Sequence, residues 1–137
     1  MSLDLAQLNW AAIGAATVLA QLISTVWFVV LFGEPWAREY GAKSKQQHTK
    51  EVPPYTYGVG LLCTFTLVLS LAVLHKALAV SSVGAALQVG LFVAVGFCIA
   101  TGVPGQAFLR RWRVALIAFG SQTVMIIASS IMLAMWA

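Results

Sequence analysis

Amide side chains stand in the middle of two long apolar runs: Gln21 in NWAAIGAATVLAQLISTVWFVVLF and Gln122 in WRVALIAFGSQTVMIIASSIMLAMW. An amide brings two N–H donors and one carbonyl acceptor. In hydrocarbon these groups need partners, so polar residues inside such runs are the first place to look for function. Two chemistries are open. The amides can join helices by hydrogen bonds, or they can line a path for a solute together with Ser24, Thr25 and Ser129. The first is preferred, because glutamine does not ionise and cannot relay protons as Asp, Glu or His can.

Both glutamines sit on stripes at three-four spacing. One is Trp10, Gly14, Thr17, Gln21, Ser24 and Phe28; the other is Ala115, Ala118, Gln122, Met125, Ser129 and Met132. Stripes of small and polar residues face protein rather than lipid. Both amides are therefore expected to point into a helix bundle at matching depth. Two runs of small residues, Ala12-Ala16-Ala20-Ser24 and Ala86-Gly90-Ala94, repeat every four residues and point to close helix packing, within one chain or between copies.

Other chemistry is sparse. His75 falls at the end of an apolar run beside Lys76 and reads as a solvated or capping residue. His48 lies in a polar segment with no Cys, His or Asp neighbour. Gln88 reads as an interface group. Cys63 and Cys98 lie in apolar runs and form no CxxC or Cys/His cluster. No metal and no cofactor is expected. The four acids are Asp4, Glu34, Glu39 and Glu51, and none lies within an apolar run. Neither a carboxylate pair, a nucleophile elbow nor a phosphate loop is present, so an enzyme is not expected. The same lack of an intramembrane acid argues against a proton-coupled small multidrug antiporter.

The elements that must position these residues follow from composition. The chain has 137 residues, 61% hydrophobic and only 9% charged. Soluble domains carry about 25% charged residues. A water-soluble globule, a disordered chain and a disulfide scaffold are excluded. Crossing a hydrocarbon core of about 30 Å takes about 20 apolar residues in a helix. Four stretches qualify, about 9–32, 55–78, 83–108 and 112–136. None alternates at period two, so the expected fold is all-α: one polytopic membrane domain, a bundle of four transmembrane helices. The N-terminal region lacks a basic segment and its apolar run is too long for a cleaved signal.

In the third span Pro104 lies between Gly102 and Gly105. Proline removes a ladder donor and clashes with the carbonyl four residues back, so a kink or break is expected there. In the first loop, GEPWAREYG reads as a short interfacial helix with Pro35 at its first position and Gly41 at its stop. KSKQQHTKEVPP reads as a solvated linker.

Seven of the eight Lys and Arg lie in the first and third loops: Arg38, Lys43, Lys45, Lys50, Arg110, Arg111 and Arg113. The positive-inside rule puts these loops in the cytoplasm and both termini outside, in the cell (inner) membrane. The net charge of +4 is thus accounted for without nucleic acid. Trp10, Trp36, Tyr40, Tyr55, Trp112 and Trp136 are the expected interfacial anchors.

Trp27-Phe28, then Leu31-Phe32-Gly33, Pro35 and Trp36, resemble the domain of unknown function 1761 family of small four-span membrane proteins. The basic turn Phe108–Trp112 and the late Trp136 extend the likeness over nearly the whole chain. The resemblance implies fold and membrane location and carries over no activity, cofactor or catalytic residue. Two functions are weighed. The preferred one is an accessory or scaffold subunit packing in a larger membrane complex. The alternative is a homo-oligomeric channel or carrier for a small neutral or hydrophobic solute. The lipid bilayer is a partner in both.

Overall fold

The computed structural model describes residues 4–136. Six helices follow in order: α1 (Trp10–Leu31), α2 (Gly33–Glu39), α3 (Lys45–Glu51), α4 (Tyr55–Ala77), α5 (Val83–Phe108) and α6 (Trp112–Met135). The described residues include no strand. Four of the helices (α1, α4, α5 and α6) are long and apolar enough to cross a membrane, so the protein is a multi-pass membrane protein.

Local chemistry sets the starts and stops. Asn9 Oδ1 accepts from Ala12 N–H at the start of α1, and Ser82 Oγ from Ala85 N–H at the start of α5. Three helices close with the same six-to-one bond: Ala42 N–H to Ala37 O after α2, Val80 N–H to His75 O after α4, and Arg111 N–H to Gln106 O after α5. Each closure needs one residue in the left-handed region. Gly41 takes it at φ +77°, and Ala79 and Arg110 adopt it at φ +52° and +56°.

The expected linker after Gly41 is in part a helix. Ser44 Oγ caps Gln47 N–H, while Gln47 Oε1 accepts from Lys43 N–H. The signature for this start, a serine with a glutamine three residues on, is present in Ser44-Lys45-Gln46-Gln47. Likewise α2 starts at Gly33, so Pro35 stands at its third position rather than its first.

Helix α6 is the hub. It packs against α1, α4, the length of α5, and α2, whereas α5 rests chiefly on α6. Of α6's most apolar window 44% is buried, against 22% for α1 and 17% each for α4 and α5. The core joins Ala12, Ile13, Ala16 and Ala20 of α1, Val68, Leu71 and Ala72 of α4, Ala94 of α5, and Met125, Ile126 and Leu133 of α6. On α1 the alanine run therefore holds the buried face; Trp10 and Gly14 of the expected stripe are exposed. Small residues prevail there because α1 approaches its neighbours closely, and bulk would hold them apart.

Two spans contain π turns, Val26–Leu31 in α1 and Ala94–Ile99 in α5. Phe32 N–H reaches back five residues to Trp27 O, and Ala100 N–H does the same to Val95 O. The expected break at Pro104 is not found: the helix runs through Gly102, Pro104 and Gly105 to Phe108. The irregular turn comes earlier, in the segment leading to Ala100, whose carbonyl the proline ring crowds.

Candidate functional site

Polar side chains gather at three levels. At mid-span, Thr64 of α4 shares its one hydroxyl proton between Gln21 Oε1 at 3.1 Å and Gly60 O of its own helix. Gln21 thus binds α4 rather than Gln122. Gln122 accepts from the Cys98 thiol of α5. It is exposed, contrary to the expectation that both amides are enclosed by the bundle. On α6 the flanking residues Ser121 and Met125 are buried, so Gln122 lies where α6's packed face opens. Ser24 is half-buried. Thr25 is exposed and bonds back to Gln21 O. Ser129 is wholly buried, and its hydroxyl has no partner among the described residues. The five residues therefore do not form one lining.

Toward the loop that carries α2 and α3, the aromatic segment of α1 docks. Trp27 Nε1–H donates to Ile117 O of α6 at 2.8 Å, and its ring covers Gly120. A Cβ on Gly120 would meet that ring at 2.9 Å. Phe28, Trp36 and Tyr40 form a row of tilted ring contacts with centroids 4.7 and 5.1 Å apart, and Arg111 lies over the Tyr40 ring. Trp36 is half-buried in this row; Trp10, Tyr40, Tyr55, Trp112 and Trp136 are exposed near helix ends. Replacing Trp27 with Phe should cost about 1 kcal/mol, since it removes the side-chain bond to Ile117 O, a carbonyl that keeps its own helix bond. Reversible unfolding in mixed micelles reads this; an unchanged midpoint would show the bond to be idle.

The third level, at the end holding Asn9 and Trp136, contains a residue whose role the sequence hides. His75, read as solvated, is 7% exposed. Its Nε2 lies 2.7 Å from Ser130 Oγ of α6, and that hydroxyl donates to Ala86 O of α5 at 2.7 Å. One hydroxyl thereby ties three spans. The clue was the spacing of Ser129-Ser130 from Trp136, which sets Ser130 at the depth of the end of α4. Nearby, Asn9 Nδ2 donates to Trp136 O at 2.9 Å and Lys76 Nζ to Gln7 Oε1 at 2.9 Å. A cavity of about 370 Å³ opens beside these groups. Among the described residues no cluster of His, Cys, Asp and Glu could hold a metal ion.

No curated protein and no solved structure matches the chain. One family does, described as "Protein of unknown function (DUF1761)", over residues 11–134. The matched segment holds all four spans, the docked aromatic segment and the His75–Ser130 junction. An integral membrane protein of unknown activity, the chain belongs to this DUF1761 family.

Proposed function

We propose that the protein is a non-catalytic accessory subunit that packs against other membrane helices in a larger complex. Gln122 carries this reading. It stands ten residues into α6, about 15 Å from its start at 1.5 Å per residue, which is near mid-membrane. It is exposed, its oxygen is taken by Cys98, and no described residue accepts from its amide N–H groups. Lipid tails offer no acceptor, and an unmet amide in hydrocarbon costs several kcal/mol. A helix of another subunit laid over Gln122 removes that cost.

Extraction in a gentle detergent followed by native mass measurement tests the proposal. The expected result is a heteromeric assembly, from which Gln122→Leu releases a folded chain. A bare monomer from the native membrane overturns it. An assembly made of this chain alone favours the homo-oligomeric channel or carrier instead.

The proposed setting is the cell membrane, with both termini outside and the two basic loops in the cytoplasm. The seven-to-one division of Lys and Arg supports this orientation. Single cysteines placed at Ser82 and at Lys45, with Cys63 and Cys98 replaced, report it. An impermeant maleimide should label the Ser82 site in intact cells and the Lys45 site only after permeabilisation. The opposite pattern reverses the topology.

A further inference from the structure

The cavity beside His75 has the features of a ligand site, and none of them enters the packing role above. Its floor is apolar, with Ala12, Ala72 and Leu133; Asn9, His75 and Lys76 supply polar atoms. Its volume of about 370 Å³ is within the range of small-molecule pockets.

The hydrogen bonds fix which atoms remain for a ligand. Ser130 has a single hydroxyl proton, and it is committed to Ala86 O. The contact between Ser130 Oγ and His75 Nε2 therefore takes its proton from the ring. The neutral ring is then the Nε2–H tautomer, and Nδ1 is left with a lone pair and no described partner. Lys76 Nζ has three N–H donors. Gln7 Oε1 and the Asp4 carbonyl take two, at 2.9 and 3.3 Å, and the third has no partner among the described residues. Both amide groups of Asn9 are engaged, with Ala12 N and Trp136 O. Charged groups around the ring are Lys76 on its own helix and Asp4 on the preceding turn; the facing parts of α1, α5 and α6 carry none.

A lone pair and a free ammonium donor beside an apolar floor match one common group. We propose that this cavity binds a small carboxylic acid with a short apolar tail, its carboxyl held by His75 Nδ1 and Lys76 Nζ. The acid O–H donates to Nδ1, and the carbonyl oxygen accepts from Lys76. Transfer of that proton to Nδ1 leaves a carboxylate between imidazolium and ammonium, with total charge unchanged. The tail lies along Ala12, Ala72 and Leu133. Ser130 is a positioning residue here, since it holds the ring by Nε2.

The test is a titration of the full chain in nanodiscs with sodium hexanoate, which binds together with one proton taken from the buffer. Hexanol serves as the arm for plain partitioning and hexyl phosphate as the arm for a phosphate preference. Hexanoate should saturate, and both His75→Gln and Lys76→Gln should weaken it roughly tenfold, the loss of one charge-assisted bond. Neither substitution should change hexanol uptake. In a His48→Gln background the remaining histidine should show ring ¹⁵N shifts of the Nε2–H tautomer, and hexanoate should move the Nδ1 resonance. Lys76 is exposed, so Lys76→Gln keeps the test valid if His75→Gln fails to fold. Hexanoate uptake no tighter than hexanol, or unaffected by Lys76→Gln, overturns the site. So does a free ring protonated on Nδ1. Tighter binding of hexyl phosphate overturns the carboxylate assignment.

Discussion

Gly90→Leu should undock α5. A Cβ at Gly90 would stand 3.2 Å from Ile127 Cα and 3.3 Å from Ser130 Cβ. Ile127 Cα is backbone, so relief requires α5 to move away from α6 as a body. Leucine then adds three more carbons in the same direction. Overpacking of this kind costs about 1–3 kcal/mol. The loss should reach the upper end, because α5 has little support besides α6 and because separation also breaks Ser130 Oγ–H to Ala86 O. Gly84→Leu on the same helix is the control: nothing lies within 4 Å of a Cβ there. Equilibrium unfolding in mixed micelles should show a large shift for Gly90→Leu and little for Gly84→Leu. Equal losses would remove close packing from the account, since helix propensity alone favours Leu over Gly at both positions.

Adjacent serines should respond oppositely to the same substitution. Ser129 and Ser130 are both wholly buried. Ser130→Ala leaves the buried His75 Nε2–H without its partner and removes the side-chain bond to Ala86 O, a carbonyl that stays within the α5 helix ladder. The orphaned N–H costs about 1–3 kcal/mol, so a loss of about 2 kcal/mol is expected. The Ser129 hydroxyl has no partner among the described residues to lose. Ser129→Ala removes an unsatisfied polar group and should be neutral or stabilising. The unfolding midpoints of the two variants decide this, and a Ser129→Ala loss matching that of Ser130→Ala contradicts the hydrogen-bond assignment.

Much of the fold was legible because a bilayer imposes a simple length rule on apolar runs. The four-residue repeats were legible as packing surfaces too. Ala12, Ala16 and Ala20 are buried within the chain, as are Ala86, Gly90 and Ala94. What periodicity could not convey was which helix faces which. Gln21 is held by Thr64 of α4 because α1 and α4 pair directly, and an argument from depth alone had no means of choosing α4 over α6. Gln122 has a core-facing position on its helix wheel, yet coverage depends on neighbours at that level. His75 was misplaced for a related reason. The end of a span looks solvated in one dimension, but α6 continues past that depth and brings Ser130 against the ring. The aromatic segment of α1 was legible as a motif and not as a contact, since the Trp27 bond to Ile117 O depends on a neighbour ninety residues away.

The position of the hub helix in the chain has a consequence for biosynthesis. Insertion of α1 and α4 allows an early pair, with Thr64 donating to Gln21 before anything further emerges. Helix α5 enters the bilayer next and finds almost nothing to hold, since the surface that accepts Gly90 belongs to α6 and is made later. Through that interval α5 is an independent hydrophobic span, stable in lipid by its own backbone bonds but unassembled. Assembly is thus gated by a translation event: arrival of α6 supplies Ile117 O to Trp27, Ile127 to Gly90 and Ser130 to His75 within one element. A ribosome stalled before Trp112 would leave three inserted helices and no tertiary junction between α5 and the rest, the kind of half-made product on which membrane quality control acts.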